Sequence, residues 1–300
     1  MNASNTLIII TGPTGSGKSA LALALAKKIG CHIISADSRQ IYRDIPIGTA
    51  APTAEDMRQV PHHFVGTLDL SDYYSAAMFE EDVMNLLPKL WDQSGGFAIM
   101  CGGSMMYVDA IAKGIDNMPT VSDSVRAEAY RIYNEGGIEA ARAELARLDP
   151  VYYAQVDLNN YKRIVHAIEI SMEAGVPYST LRTGQKKSRP FAIKKFAIDM
   201  PREILFDRIN RRTQEMIAAG LADEARAVMH LRDLNSLNTV GYKEMFEYLD
   251  GRMSLDEATE KIARNTRVYA KKQLTWLKKD PDTIFLNCKS DMIQCIMDSI

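Results

Sequence analysis

Three hundred residues are enough for one large domain or two smaller ones with a real buried core. Apolar residues at 46% and charged residues at 25% are ordinary for a globular chain, and a net charge of −2 excludes a protein coated in basic charge, though not one with a local basic groove. The four cysteines form no C-x-x-C pair and no zinc spacing, and neither a signal peptide nor a membrane-length apolar stretch is present, so a soluble, cytoplasmic chain with reduced thiols is expected.

The β-branched run Leu7 to Ile10 breaks into Gly12-Pro13-Thr14-Gly15-Ser16-Gly17-Lys18-Ser19. Gly12, Gly17, Lys18 and Ser19 fit G-x-x-x-x-G-K-[ST], the phosphate-binding loop between a strand and a helix. Its glycines let backbone N–H groups curl around an anion, and the following helix points its positive end at the same place. Lys18 neutralises phosphate charge, and the Ser19 hydroxyl suits Mg2+.

Strong helix formers then run from Ala20 to Ile29, and Gly30 stops them. His32 to Ala36 reads as a short second strand ending at Asp37, a carboxylate where open α/β sheets bind ligands. Residues 44–69, punctuated by Pro46, Gly48, Pro52, Pro61 and Gly66, read as mostly loop with a helical turn near Thr53 to Gln59. His62-His63 lacks any metal-ligand spacing and reads as structural or surface. Ser75 to Leu90 has helical periodicity, and Phe97 to Cys101 is a candidate buried parallel strand ending in Gly102-Gly103-Ser104. Glycines stand there where a P-loop ATPase usually has a metal-organising Asp, which counts against ordinary ATP hydrolysis.

Residues 122–188 contain amphipathic helical stretches and no convincing strand, broken at Gly136-Gly137, Asp149-Pro150 and Gly175-Val176-Pro177. Lys195 to Met200 resumes as a strand. The helix from Arg202 sets Arg208 and Arg212 on one face, and Arg211 off it. Gly220 stops it, and a further helix is predicted over Leu221 to Leu231. Ser254-Leu255-Asp256-Glu257 is a capping box opening a helix that runs to about Lys279, and Thr283 to Leu286 is a candidate last strand. The core is thus predicted as residues 1–120 plus 191–300, with a helical domain, 121–190, inserted.

Taken together, Gly12-Pro13-Thr14-x-x-Gly17-Lys18-Ser19, Asp37-Ser38-Arg39-Gln40-Ile41-Tyr42, Ile47-Gly48-Thr49-Ala50, Pro61-His62-His63, Tyr74-Ser75-Ala76, Gly102-Gly103-Ser104, Val240-Gly241-Tyr242-Lys243-Glu244 and Lys272-Gln273-Leu274-Thr275-Trp276 resemble the tRNA dimethylallyltransferase (isopentenyltransferase) family in its bacterial form, in order and over nearly the whole chain. The resemblance implies an α/β fold, a P-loop NTPase-like parallel sheet flanked by helices, with an inserted all-helical tRNA-binding domain. It implies transfer of a dimethylallyl group from dimethylallyl diphosphate to N6 of the adenosine 3′ of the anticodon, in tRNAs reading codons that begin with U. Mg2+ is the implied cofactor, the tRNA anticodon stem-loop the implied partner, and a cytoplasmic monomer the expected setting.

An adenine amine is a poor nucleophile, so attack needs a proton acceptor and a stabilised leaving group. By resemblance, Asp37 is the base or hydrogen-bond acceptor at that amine, and Thr14, Ser104 and Arg208 join it at the reacting centre. Gly12, Pro13, Thr14, Gly15, Ser16, Gly17, Lys18, Ser19 and Arg212 take the diphosphate, with Ser19 at the metal. Asp37, Ser38, Arg39, Gln40, Ser104, Arg126, Lys162, Arg163, His166, Tyr242, Lys243, Lys272 and Gln273 are the implied tRNA contacts. Two basic sets join this reading as a clamp for RNA phosphates: Arg182, Lys186, Lys187, Arg189, Lys194 and Lys195; and Lys261, Arg264, Arg267, Lys271, Lys272, Lys278 and Lys279. Trp276 reads as core.

Three rivals remain. A small-molecule kinase uses the same loop with ATP. A GTPase needs an N/T-K-x-D motif, which is missing here. A prenyltransferase acting on free AMP, ADP or ATP needs neither basic set.

Overall fold

The structure, a computed structural model, describes residues 5–300. In chain order the elements are β1 (Thr6–Thr11), α1 (Lys18–Ile29), β2 (Ile33–Ser35), α2 (Pro46–Thr49), α3 (Ala54–Gln59), β3 (His62–His63), α4 (Ala76–Gln93), β4 (Phe97–Cys101) and α5 (Met105–Lys113). Then follow α6 (Asp123–Leu148), α7 (Pro150–Tyr153), α8 (Tyr161–Ala174) and α9 (Tyr178–Leu181). The chain closes with β5 (Ala192–Asp199), α10 (Arg202–Ala218), α11 (Leu221–Ala227), α12 (Tyr242–Leu249), α13 (Leu255–Leu277), β6 (Thr283–Asn287) and α14 (Met292–Met297). The chain divides into two compact units, Met1–Ala112 with Arg189–Ile300, and Lys113–Ser188.

The first unit is built on a six-stranded sheet of order β3-β2-β4-β1-β5-β6, parallel at every pairing. Strand alternation sends Leu7 and Ile9 to one face, where they meet Phe79, Val83 and Leu87 of α4 and Val108 and Ile111 of α5. Ile8 and Ile10 go to the other face, against Leu21 and Leu25 of α1 and Ile296 of α14. Burial on both faces explains why β1 and β4 read as unbroken apolar runs. Their neighbour β2 lies beyond β4, so the chain leaves β1 in one direction and returns between β1 and β2. The loop ends cluster at that switch point.

A third cluster joins Ile41, Tyr42 and Ile45 to Leu221, Tyr242, Met245, Phe246 and Ile262. It fixes the loop after β2 against α11, α12 and α13.

Several elements differ from the sequence expectation. The stretch 44–69 contains α2 and the edge strand β3 besides the turn at 54–59. These are two- to four-residue elements, too short to carry a period. α11 stops at Ala227, because Val228 (φ −103°, ψ 7°) leaves helical geometry, and Met229–Leu231 is a single 3-10 turn. β5 begins at Ala192 and carries Lys195 into the interior, paired with Asp280 beneath it.

The second unit is all helix. α6 bends at Gly137 (φ 68°), which lies outside helical geometry, and packs on α8 through Ala129, Ala141, Leu145, Ile164, Val165 and Ile168. Asp149 caps α7 and also accepts from Ser179 N and Oγ, tying α7 to α9. No helix among the described residues is long and apolar enough to cross a membrane.

Candidate active site

The loop from Gly12 to Gly17 turns back on itself through positive φ at Gly12, Gly15 and Gly17 (148°, 84° and 93°). Gly17 is the left-handed cap of α1, and a Cβ there would lie 3.0 Å from Arg208 Nη2. α10 and α13 brace this loop. Arg208 Nε donates to Gly15 O at 2.8 Å, and Arg212 Nη2 donates to Thr14 Oγ1 at 2.6 Å. Gln273 accepts from Thr14 N at 2.8 Å and donates to Gly103 O at 2.8 Å, so it ties the loop to the Gly102-Gly103 turn. A side chain at Gly103 would collide with that Gln273 amide, which is why glycine stands there.

Burial pulls the Lys18 ammonium below its usual pKa, with Arg212 pulling the same way and Cys101 and Asp37 opposing. Burial also lowers Arg212, against Asp37 and Glu215. Two partly desolvated cations beside a curled loop gain most from an anion. The buried hydroxyls of Thr11 and Ser16 have no hydrogen-bond partner among the described residues.

For a divalent cation the protein offers the exposed Ser19 hydroxyl in the first turn of α1. Beside it Cys101 ends β4, hydrogen-bonded to Ser19, its thiol pushed up by burial to about 11. Among the described residues no three His, Cys, Asp or Glu converge on an ion. This donor set fits Mg2+ that brings its other oxygens with a phosphate group and from water.

Asp37 follows β2 directly. Its Oδ1 accepts from Arg39 N (2.9 Å) and Gln40 N (3.4 Å), while Oδ2 accepts no hydrogen bond among the described residues. Ser104 Oγ accepts from Ser38 N at 2.9 Å and holds the Asp37-Ser38 turn in place. Gln40 donates to Thr49 O and Ala50 O and accepts from Ser35 Oγ, so its amide is spent on the turn.

Two spaces meet at Asp37. A narrow one of about 70 Å³ runs over the phosphate loop past Lys18, Ser19 and Cys101. A wide cleft of about 530 Å³ opens past Ser38, Arg39, Ser104, Lys243 and Lys272. Thr14, Asp37, Thr49 and Arg212 line both.

Two residues expected at RNA are buried instead. Tyr242 is 0% exposed, and its hydroxyl donates to Glu224, whose carboxylate also takes Ile47 N (2.7 Å) and Gly48 N (2.8 Å). Gln273 is 2% exposed and fully engaged with the loop. Both shape the cleft from behind. Two basic residues are likewise removed from the surface: Arg189 pairs with Glu80 at 2.6 Å and donates to Ile111 O, and Lys195 pairs with Asp280. Arg211 is exposed, as its position off the arginine face implied, and Trp276 packs on the core with Nε1 donating to Asp109 at 2.8 Å.

In the helical unit, Lys162, Arg163 and His166 are exposed on α8. Arg126 on α6 lies 3.7 Å from Glu169, which also faces His166 at 3.8 Å. Sequence reasoning missed Thr49 and Tyr269, which line the cleft with Asp37 only once α2 and α13 are folded, and Glu224, which ties α2 to Tyr242.

The IPP transferase family model matches residues 40–280. The chain belongs to this family. It is 54% identical over 278 residues to "tRNA dimethylallyltransferase 2" of Parabacteroides distasonis, 93% of each chain. Among solved structures, the full-length tRNA isopentenylpyrophosphate transferase of Bacillus halodurans superposes with a TM-score of 0.71 at 35% identity, covering 98% of this chain and 94% of that one. A eukaryotic dimethylallyltransferase caught acting on tRNA gives 0.78 at 25% identity, covering 97% and 75%. The fold of this IPP transferase family member is accordingly P-loop NTPase-like, as the sequence implied.

Proposed function

We propose that this chain transfers a dimethylallyl group to tRNA, taking it from dimethylallyl diphosphate and placing it on N6 of the adenosine 3′ of the anticodon in tRNAs that read codons beginning with U. The family membership supports the transfer to tRNA. The observation that carries the chemistry is the junction at Asp37 between a narrow phosphate-loop space and a wide cleft.

In this reading the diphosphate lies on the loop, where backbone N–H groups, Lys18 and Arg212 take the charge that grows as the C–O bond breaks. Arg208 holds Gly15 and so keeps the loop in its cradle shape. Ser19 would hold a Mg2+ ion, which would supply further neutralisation of the leaving group's charge. The prenyl carbon then faces Asp37. The adenine enters from the wide cleft, and Asp37 Oδ2 accepts a hydrogen bond, then the proton, from the amine as the N–C bond forms. Thr14 and Ser104 hold the two sides of that junction. Ser38, Arg39, Lys243 and Lys272 face the RNA around the cleft, and Arg126, Lys162, Arg163 and His166 supply contacts from the helical unit. The setting proposed is a monomer in the cytoplasm.

Arg212→Ala separates the two substrates. The expected result is a KM for the prenyl diphosphate raised by roughly ten-fold or more, with the KM for an anticodon stem-loop little changed. Equal weakening for both substrates would contradict the division of the site.

A further inference from the structure

Most aromatic side chains of the first unit have an evident structural task. Phe79 stacks on Tyr107, Trp91 packs at a tilt against Phe191, and Tyr242 is sealed beneath Gly48. Tyr269 does not. It is half-buried on α13, where Asn265, Tyr269 and Lys272 share one helix face at i, i+4 and i+7, and all three line the wide cleft. Among the described residues it is the only aromatic lining that cleft. Its hydroxyl makes no hydrogen bond, and its ring stacks on no other ring, among the described residues. The charges of Asp37 and Arg39 both act on its phenol, with Asp37 raising and Arg39 lowering its pKa, and burial first among the causes lifts it to about 12. The side chain is thus a neutral aromatic surface beside the carboxylate at which the two spaces meet.

An adenine that leaves its stack to react loses base–base contact, and single-stranded bases drawn out of RNA loops are typically caught on aromatic faces. From this geometry we infer that Tyr269 is the stacking platform of the acceptor purine, a positioning residue that holds the base edge-on to Asp37. This rests on the adenosine-acceptor reading above. The bound base covers the ring, and its exocyclic amine points at the carboxylate. The phenol O–H is secondary, since the ring supplies the contact.

The test uses an anticodon stem-loop carrying 2-aminopurine at the acceptor position, whose fluorescence reports stacking, beside the natural adenosine stem-loop for turnover. Tyr269→Phe, Tyr269→Leu and Tyr269→Gln are compared with wild type, each checked by thermal denaturation. The expected result is strong quenching on binding by wild type and Tyr269→Phe, and little by Leu or Gln. KM for the natural stem-loop should rise roughly ten- to hundred-fold in Leu and Gln, while KM for dimethylallyl diphosphate stays constant. Quenching and KM unchanged in both non-aromatic variants would overturn the proposal, and so would loss of function in Tyr269→Phe equal to that in Leu. Wild-type protein that leaves the natural stem-loop unlabelled removes the acceptor itself, a failure of the underlying reading that the fluorescence arm does not mimic.

Discussion

Lys18 and Arg212 are cations held partly out of water beside a loop that has no anion of its own, and the pKa of each is depressed by that burial. Such groups favour a diphosphate more than any neutral ligand. Cys101 faces the opposite problem. It lines the narrow space where the proposed reading puts the prenyl diphosphate, an allylic electrophile that would alkylate a thiolate. Burial lifts its pKa to about 11, so at pH 8 the thiol keeps its proton. Peptide-level mass spectrometry after iodoacetamide treatment should find Cys101 nearly unlabelled at pH 8 while exposed Cys295 reacts, with Cys101 labelling rising towards pH 11. The unfolded chain loses this proton near 9, so between pH 9 and 11 the folded state binds more protons and stability falls as pH rises. Rapid labelling of Cys101 at pH 8 would contradict this account.

The motifs that look like contacts often turn out to be joints. Ile47-Gly48 and Gly241-Tyr242 meet through Glu224, which collects two backbone N–H groups of α2 and the Tyr242 hydroxyl. A Cβ at Gly48 would run into the Tyr242 ring, so Gly48→Ala should destabilise by about 1–3 kcal/mol, and Tyr242→Phe by about 1.5–3 kcal/mol through loss of a hydrogen bond to a charged group. Thermal denaturation checks both, and a neutral Tyr242→Phe would contradict the joint assigned to that hydroxyl. On the sheet edge, His32 Nδ1 lies 3.0 Å from His63 Nε2, tying β3 to the end of β2. Burial lowers both imidazoles below 6.5, with Lys89 adding to each and His32 acting on His63. The unfolded chain therefore binds more protons below 6.5, and stability should be lost as pH falls below about 6.5. His63→Gln should flatten that slope in urea titrations. The sequence read His62-His63 as structural or surface, but not the strand or the partner, because periodicity cannot register a two-residue strand and adjacent histidines carry no sign of a partner 31 positions away.

Across the molecule, legibility follows locality. The phosphate loop, the buried strands and the capping box at Ser254 declare themselves through neighbouring residues, and all three stand where the sequence put them. Lys195 and Arg189 looked like surface charge because their partners, Asp280 and Glu80, are 85 and 109 residues away. Gln273 looked like an RNA contact, yet its reach to Thr14 spans 259 residues. The family resemblance supplied the chemistry that spacing could not, and the structure then separated residues facing the cleft from those that build it. The central claim is that Asp37 stands between a prenyl diphosphate and an adenine amine. The measurement that tests it most directly is transfer of label from dimethylallyl diphosphate, with Mg2+, to an anticodon stem-loop containing three adjacent adenosines, using wild type and Asp37→Ala, with free AMP as the alternative acceptor. The account predicts labelled RNA, unlabelled AMP, and a rate at least ~10²-fold lower in the variant. Equal rates for the two proteins would remove Asp37 from the chemistry, and label on AMP alone would contradict the RNA acceptor.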